Sequence, residues 1–360
     1  MKRVLITPLD WGLGHATRCI PVIQWLVARK VHVHIAGSGQ SLRLLAKEFP
    51  FIPQSKLPGY DPRYPSGNGM ATAMALQLPK FMRIISREHK IVEQLVRQHQ
   101  IDTVISDNRF GCRTSLAHCI FITHQSNILM PQRFGWLGKF VRWMNERYIR
   151  KFDTCWIPDY PEGTLAGSLI SFGKNNFHPD VRYVGPLSRF NFAPDNNAPQ
   201  YDVVAVCSGP EPQRTKFERI LLGQLRKSGL RYLLVRGVID ETENSYGADS
   251  DVVNYLTTAD MQKVLRGAGI VVARSGFSTV MDLTVLGKRA IFVPTPGQTE
   301  QEYLAEKMMT EKIAFTMDQD HFDLIKAMAE SSGYTGFSSA AANENLTTVL
   351  AELIDDEGIH

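Results

Sequence analysis

Twice in this chain a short run of β-branched and apolar residues stops at a glycine turn and passes into helical spacing. That pattern limits the possible folds more than any other feature. The first instance is Val4-Leu5-Ile6-Thr7, broken by Gly12-Leu13-Gly14-His15 and followed from Ala16 to Lys30 by Ile20, Ile23, Trp25, Leu26 and Val27 on one helical pattern. The second is Ile270 to Ala273, the turn Arg274-Ser275-Gly276, and a helix predicted over Thr279 to Leu286. The alternation persists elsewhere in the first half, with strands at Val31–Ala36, Asp102–Asp107, Cys119–Thr123, Thr154–Ile157 and Val181–Val184 and helices over Ser41–Phe49 and Thr72–Gln98. In the second half the predicted strands are Asp202–Cys207, Tyr232–Val235, Asp251–Tyr255 and Ala290–Val293, with helices over Lys216–Lys227, near Asp260–Arg266 and over Thr299–Lys312. Strand and helix alternating in this way predict parallel sheets covered by helices.

A chain of 360 residues has room for about two such units. The stretch from Arg189 to Gln200, with two prolines and three asparagines, is the most linker-like segment. The expected division is residues 1–188, a linker over 189–200, a second domain over 201–345 and a helix or tail over 346–360. The predicted class is α/β, two Rossmann-like doubly wound parallel-sheet domains facing a cleft. Ligands of such sheets sit beyond the carboxyl ends of the strands.

Composition excludes several other classes. A formal charge of +4 is too weak a balance to argue by itself for nucleic acid. Five scattered cysteines suit neither a disulfide framework nor a zinc site. The start, MKRVLITPLDWGLGH, is too short in apolar residues for a secretion signal, and no window approaches a spanning helix. A cytoplasmic protein is expected.

Two constellations can carry chemistry. In the first, Gly12 and Gly14 allow close approach of the backbone, the helix behind them offers free amides, and His15 brings an imidazole that accepts a proton near neutrality. In the second, a strand empties into Ser275-Gly276, and a helix opening with Phe277, Ser278 and Thr279 presents amides where a diphosphate would be held. Asp282 lies one turn further, placed to accept from ribose hydroxyls. The next strand ends at Pro294 and delivers a loop leading to Glu300 and Gln301, side chains able to read sugar hydroxyls. Asp107-Asn108 and His124, at the ends of two first-half strands, are expected on the acceptor side.

These residues resemble the glycosyltransferases of GT-B architecture, in particular the family that includes the bacterial N-acetylglucosaminyltransferase acting on lipid-linked muramyl pentapeptide. The resemblance covers both halves through the GLGH turn and the block from Arg274 to Gln301, and is weak between residues 50 and 180. It makes His15 the catalytic histidine near the acceptor hydroxyl and Ser275 to Thr279 the diphosphate loop. Asp282 then stands for the ribose-binding glutamate, and Gln301 for a glutamine touching the donor sugar. Glu300 with Gln301 also resembles the acid-amide pair of related natural-product transferases. Ser208-Gly209 occupies the place of the glycine-rich diphosphate loop, Arg189 falls near the hinge arginine, and Gly14 and Thr258 join the nucleotide-sugar set. The chain departs from the family at Pro210 and Pro212, which lack an N–H, and at Glu302, where the muramyl enzyme has a second glutamine.

The resemblance implies an inverting, metal-independent transferase that moves a sugar from a nucleotide-sugar, UDP-linked, to an acceptor hydroxyl. The nucleotide-sugar would be a co-substrate, with no cofactor. Two alternatives stay open: an epimerase of the same fold, and a catalytically silent nucleotide-sugar binder. The Asp-x-Asp pairs Asp249-Ser250-Asp251 and Asp318-Gln319-Asp320 follow no suitable strand, so no catalytic metal is expected. The segment 130–152 mixes Arg133, Lys139, Arg142 and Arg147 with Phe134, Trp136, Phe140 and Trp143, a composition suited to an anionic membrane surface and to a lipid-linked acceptor. The expected location is therefore the cytoplasm, at the inner face of the membrane.

Overall fold

The computed structural model describes residues 2–62, 70–129, 135, 138–170, 180–191, 198–239, 251–338 and 344–355. The chain divides into two compact units. The first runs β1 (Arg3–Pro8), α1 (Leu13–Ala28), β2 (His32–Gly37), α2 (Gly39–Glu48), β3 (Gln54–Lys56), α3 (Met70–His99), β4 (Thr103–Asp107), β5 (His118–Ile122), α4 (Gly138–Ile149), β6 (Thr154–Ile157) and β7 (Asp180–Tyr183). The second runs β8 (Tyr201–Val206), α5 (Gln213–Ser228), β9 (Tyr232–Val235), β10 (Val252–Val253), α6 (Thr258–Arg266), β11 (Ala268–Ala273), α7 (Phe277–Leu286), β12 (Ala290–Phe292), α8 (Thr299–Thr310), β13 (Phe315–Thr316) and α9 (Leu324–Ser331). A last helix, α10 (Glu344–Asp355), belongs to the first unit.

Both sheets are parallel throughout. Their strand orders are β3-β2-β1-β4-β5-β6-β7 and β10-β9-β8-β11-β12-β13. Each sheet is thus wound outward in both directions from a central pair, β1 with β4 and β8 with β11, and the reversal of strand order at that pair opens a crevice for a ligand. Register makes the paired ends level. Pro8 stands opposite Asp107, and Val206 opposite Ala273.

The central strands are long enough to be covered on both faces, which is why they read as continuous apolar runs. Leu5, Ile6, Val104 and Ile105 are fully buried, as are Val203, Val204, Val272 and Ile291, and each such side chain contributes roughly 1.5–3 kcal/mol. Helix α5 begins at Gln213 rather than Lys216, because Pro212 fits the position before a first turn, and ends at Gly229 in the left-handed region. Helix α7 starts two residues earlier than its apolar spacing predicts, with Gly276 before it and Gly287 closing it at φ 62°. The strand read over Asp251 to Tyr255 shrinks to Val252–Val253, and β3 and β13 are too short to signal themselves. Residues 192–197 of the expected linker and Asp249-Ser250 lie outside the described residues, as do residues 130–134, 136 and 137 of the basic aromatic segment.

Candidate active site

In the first unit, the turn after β1 is fixed from several sides. Leu9 N–H donates to the Asp107 carbonyl at 3.0 Å, Ser41 N–H donates to Asp10 Oδ1 at 3.1 Å, and Ser41 Oγ donates to the Leu9 carbonyl at 3.0 Å. Gly39 is required where it stands: at φ +50° it lies against Asp10, and a Cβ there would fall 1.8 Å from a carboxylate oxygen. Gly12, at φ +110°, turns the chain into α1 and leaves the first-turn amides without a side-chain cap.

His15 follows on that first turn with its side chain 16% exposed, and its Nδ1 lies 3.1 Å from Oδ1 of Asp107, whose side chain is fully buried. Arg18, one turn along α1, donates through Nε and Nη2 to the two oxygens of Asp107. Its Nη1 donates to Nδ1 of His124 at 2.9 Å. A guanidinium has no acceptor atom, so His124 carries its proton on Nε2. Burial alone would push the Asp107 carboxyl up, but Arg18 and His15 outweigh it and hold the group down to about 2. Burial first and Arg18 second lower the His15 pKa, against an opposing pull from Asp107.

The His15 Nδ1 also lies 2.8 Å from Nη2 of Arg18, and both contacts cannot be ordinary hydrogen bonds in one tautomer. Nη2 carries two hydrogens, one of which goes to the carboxylate, so Nδ1 has a partner in either tautomer. With Nδ1–H toward Asp107, the remaining lone pair is on Nε2, the state in which this imidazole accepts a proton from a ligand.

Asp107 and His124 were expected on the acceptor side. Both are buried, 0% and 5% exposed, with Asp107's oxygens taken by Arg18 and His15 and His124 held by Arg18. Asn108 is half-buried in the left-handed region at φ 55°, its N–H donating to the Ile122 carbonyl. Arg18 escaped the sequence reading. Its one signal is a spacing of three from His15, which puts the two on the same helical face.

In the second unit, the loops after β8 and β11 leave side by side. Ser208 is half-buried and Gly209 exposed at φ +105°. Gly276 supplies no side-chain cap to α7, and the space where a Cβ would project is empty to 4 Å. Phe277 turns into the core, while Ser278, Thr279 and Asp282 share the partly exposed face of α7. Ser275 is buried and its Oγ donates to the Gln301 carbonyl at 2.7 Å, so this residue has only backbone to offer a ligand.

Gln301 is drawn inward too. Its Oε1 accepts from Thr295 N–H at 2.8 Å and its Nε2 donates to Gln298 Oε1 at 2.5 Å, shaping the loop between β12 and α8. Glu302 accepts from Gly297 N–H at 2.8 Å in the same loop, and Glu300 is half-buried in the first turn of α8. Thr258 is buried at the start of α6, and Arg189 is half-buried at the end of the first unit's main segment. Gln319, in the second Asp-x-Asp pair, is buried and accepts from Arg274 at 2.5 Å. Among the described residues there is no group of three or more His, Cys, Asp or Glu that could hold a metal ion.

The profile of the glycosyltransferase family 28 C-terminal domain matches residues 221–336. The UDP-N-acetylglucosamine–N-acetylmuramyl-(pentapeptide) pyrophosphoryl-undecaprenol N-acetylglucosamine transferase of Haemophilus influenzae strain 86-028NP is 31% identical over 320 residues, covering 86% of this chain and 83% of the relative. The chain is a family 28 glycosyltransferase. An uncharacterized glycosyltransferase of Methanosarcina acetivorans is 25% identical over 328 residues, 83% of this chain and 81% of its own length. Among solved structures, Acinetobacter baumannii MurG superposes with a TM-score of 0.57 at 14% identity over 98% of this chain and 99% of that one. The spinosyn rhamnosyltransferase SpnG gives 0.67 at 14% identity over 98% and 100%. This family 28 glycosyltransferase therefore has the expected GT-B architecture and is a transferase that takes a nucleotide-sugar donor. Neither the epimerase nor the silent-binder reading has support among these relatives.

Proposed function

We propose that the chain is an inverting transferase that moves a sugar from a UDP-linked donor to the hydroxyl of a lipid-linked acceptor, with His15 as general base. The observation that carries this reading is the buried Asp107–Arg18 pair held against an imidazole that keeps a partly exposed edge. The acceptor oxygen bonds to the anomeric carbon as its proton passes to His15 Nε2. The bond from that carbon to the diphosphate oxygen breaks on the opposite face, which inverts the configuration. Asp107 and Arg18 touch neither reactant and set the tautomer and basicity of His15.

The leaving diphosphate is held by the loops after β8 and β11, from Ser208-Gly209 and from Gly276 to Thr279, where the α7 amides, which have no side-chain cap, face growing negative charge. In this reading Asp282 accepts from the ribose, and Glu300 lies toward the sugar. No metal has a role in it. Support for a UDP-linked donor comes from the Haemophilus influenzae relative, whose name gives a UDP-N-acetylglucosamine donor and a pyrophosphoryl-undecaprenol acceptor.

Support for a lipid-linked acceptor also comes from α4. Phe140 and Trp143 are each 54% exposed and stacked with centroids 6.0 Å apart, and the Arg147 guanidinium lies 5.6 Å from the Trp143 ring. Aromatics standing out among cations suit an anionic membrane surface. Among the described residues, no helix is long and apolar enough to cross a membrane.

The test is UDP release from UDP-N-acetylglucosamine with a polyprenyl-diphosphate muramyl acceptor. His15→Ala is expected to lower turnover about 10²–10⁴-fold while UDP still binds. Turnover retained in that variant would remove His15 as the base.

A further inference from the structure

Beneath the loops that leave β8 and β11, positive charge is buried in excess. Arg214, Arg236 and Arg274 are 9%, 5% and 1% exposed. Among the described residues, the buried carboxylate facing them is Glu218, which accepts from Arg214 Nη1 at 2.5 Å and from Arg236 Nε at 3.0 Å. Glu211, with a mostly exposed side chain, accepts from Arg214 Nε at 2.6 Å. All three guanidiniums and Glu218 lie near enough to Cys207, the residue before Ser208, to act on its thiol.

Arg274 stands apart within this group, because none of the described residues gives it a carboxylate. Its Nη1 donates to the carbonyls of Val293 and Pro294 at 2.9 and 3.1 Å, and its Nη2 to the Gln213 carbonyl at 3.1 Å and to Gln319 Oε1. The guanidinium lies 4.1 Å from the Phe217 ring centroid. Its Nε–H is buried without an acceptor. Thr295 Oγ1, 3.6 Å from where a Cβ of Gly209 would lie, is likewise buried and without a partner. Burial lowers the Arg274 pKa to about 10, which leaves it charged at neutral pH.

Taking an ion out of water without a counter-charge costs several kcal/mol. Carbonyls and an amide would tie down a neutral side chain at lower cost, so the staple alone does not account for a cation here. Its guanidinium sits at the start of α5 and the end of β12, immediately before the Ser275-Gly276 turn.

We propose that Arg274 is the fixed counter-charge for the donor's diphosphate, acting through its field from under residues 208–212 and 275–279 and not by direct contact. The proposal rests on the nucleotide-sugar reading above and goes beyond it in naming the group that makes binding depend on phosphate charge. Arg274 is in this sense a positioning residue for the anion.

Calorimetric titration of uridine, UMP and UDP into the full chain, Arg274→Met and Arg274→Lys tests it. The unaltered chain should bind UDP more tightly than uridine. Arg274→Met should weaken UDP about tenfold or more and leave uridine within about twofold, shrinking the UDP-to-uridine ratio. Arg274→Lys, which keeps the charge and loses the fork of hydrogen bonds, should hold the ratio within about threefold of the unaltered chain. That ratio comes from one preparation, so a misfolded fraction does not change it. Equal losses for uridine and UDP in Arg274→Met, or unchanged UDP binding, would overturn the proposal and leave the nucleotide-sugar reading standing. Where Arg274→Met does not fold, a collapsed ratio in Arg274→Lys overturns it alone. An unaltered chain that binds none of the three ligands sinks the nucleotide-sugar reading, and this proposal with it.

Discussion

A carboxylate beside an imidazole ordinarily raises its pKa. Here burial first, and then the Arg18 guanidinium that holds both oxygens of Asp107, outweigh that pull and carry His15 below its usual 6.5. A general base works only when neutral, so the active form of His15 persists as the pH falls below that value. The acid limb of kcat is expected under pH 6.5 and should move upward in Arg18→Met, where Asp107 keeps its charge without a balancing cation; kcat against pH reads this directly. Asp107→Asn leaves Arg18 buried and unpaired, at an expected cost of about 3–5 kcal/mol in urea denaturation near neutral pH. Because the folded Asp107 pKa is lowered to about 2, its contribution is complete above the ordinary carboxyl range and is lost as the pH falls through about 2. The stability gap to Asp107→Asn should therefore close in acid. The glycine turn that leads into α1 at His15 was legible in the sequence because it is local. The pairing of Asp107 with His15 was not, since the two lie 92 positions apart and a strand-end carboxylate fits an acceptor contact equally well.

Two glycines at helix starts separate packing from function at the level of the element. Gly276 has an ordinary φ of −71° and open space around the missing Cβ, so Gly276→Ala should leave the melting temperature of α7's unit within about a degree or two. The same methyl projects where the diphosphate is proposed to meet the α7 amides, and UDP affinity should fall about tenfold by calorimetry. Gly39→Ala meets the Asp10 carboxylate in a left-handed backbone, so it should destabilise the chain by about 1–3 kcal/mol and disturb the turn that carries His15. Helices and central strands were readable because a buried strand is a continuous apolar run and a covered helix repeats its apolar face. The inward turn of Ser275 and Gln301 was not readable: Ser-Gly followed by hydroxyl residues suits a phosphate whether Ser275 Oγ faces ligand or, as here, the Gln301 carbonyl.

For the whole molecule, two parallel sheets were legible from strand–helix alternation. The sequence reading left α10 as a helix or tail, since nothing local says where a terminal amphipathic helix docks. It belongs to the first unit, with Leu346 and Leu350 buried, Leu353's carbonyl accepting from Lys2 Nζ, and Glu352 accepting from Arg182 at 2.8 Å. Leu350→Ala should cost about 2–5 kcal/mol in the melting of that unit. UDP titration should be unchanged, because the proposed donor residues from Ser208 to Gln301 lie in the other unit. A ribosome makes the β1-to-β7 segment first, yet Leu346 and Leu350 emerge only after the whole of β8 to α9. The part translated earliest is thus the last to be completed, and until then the nascent chain lacks the helix that packs beside α1.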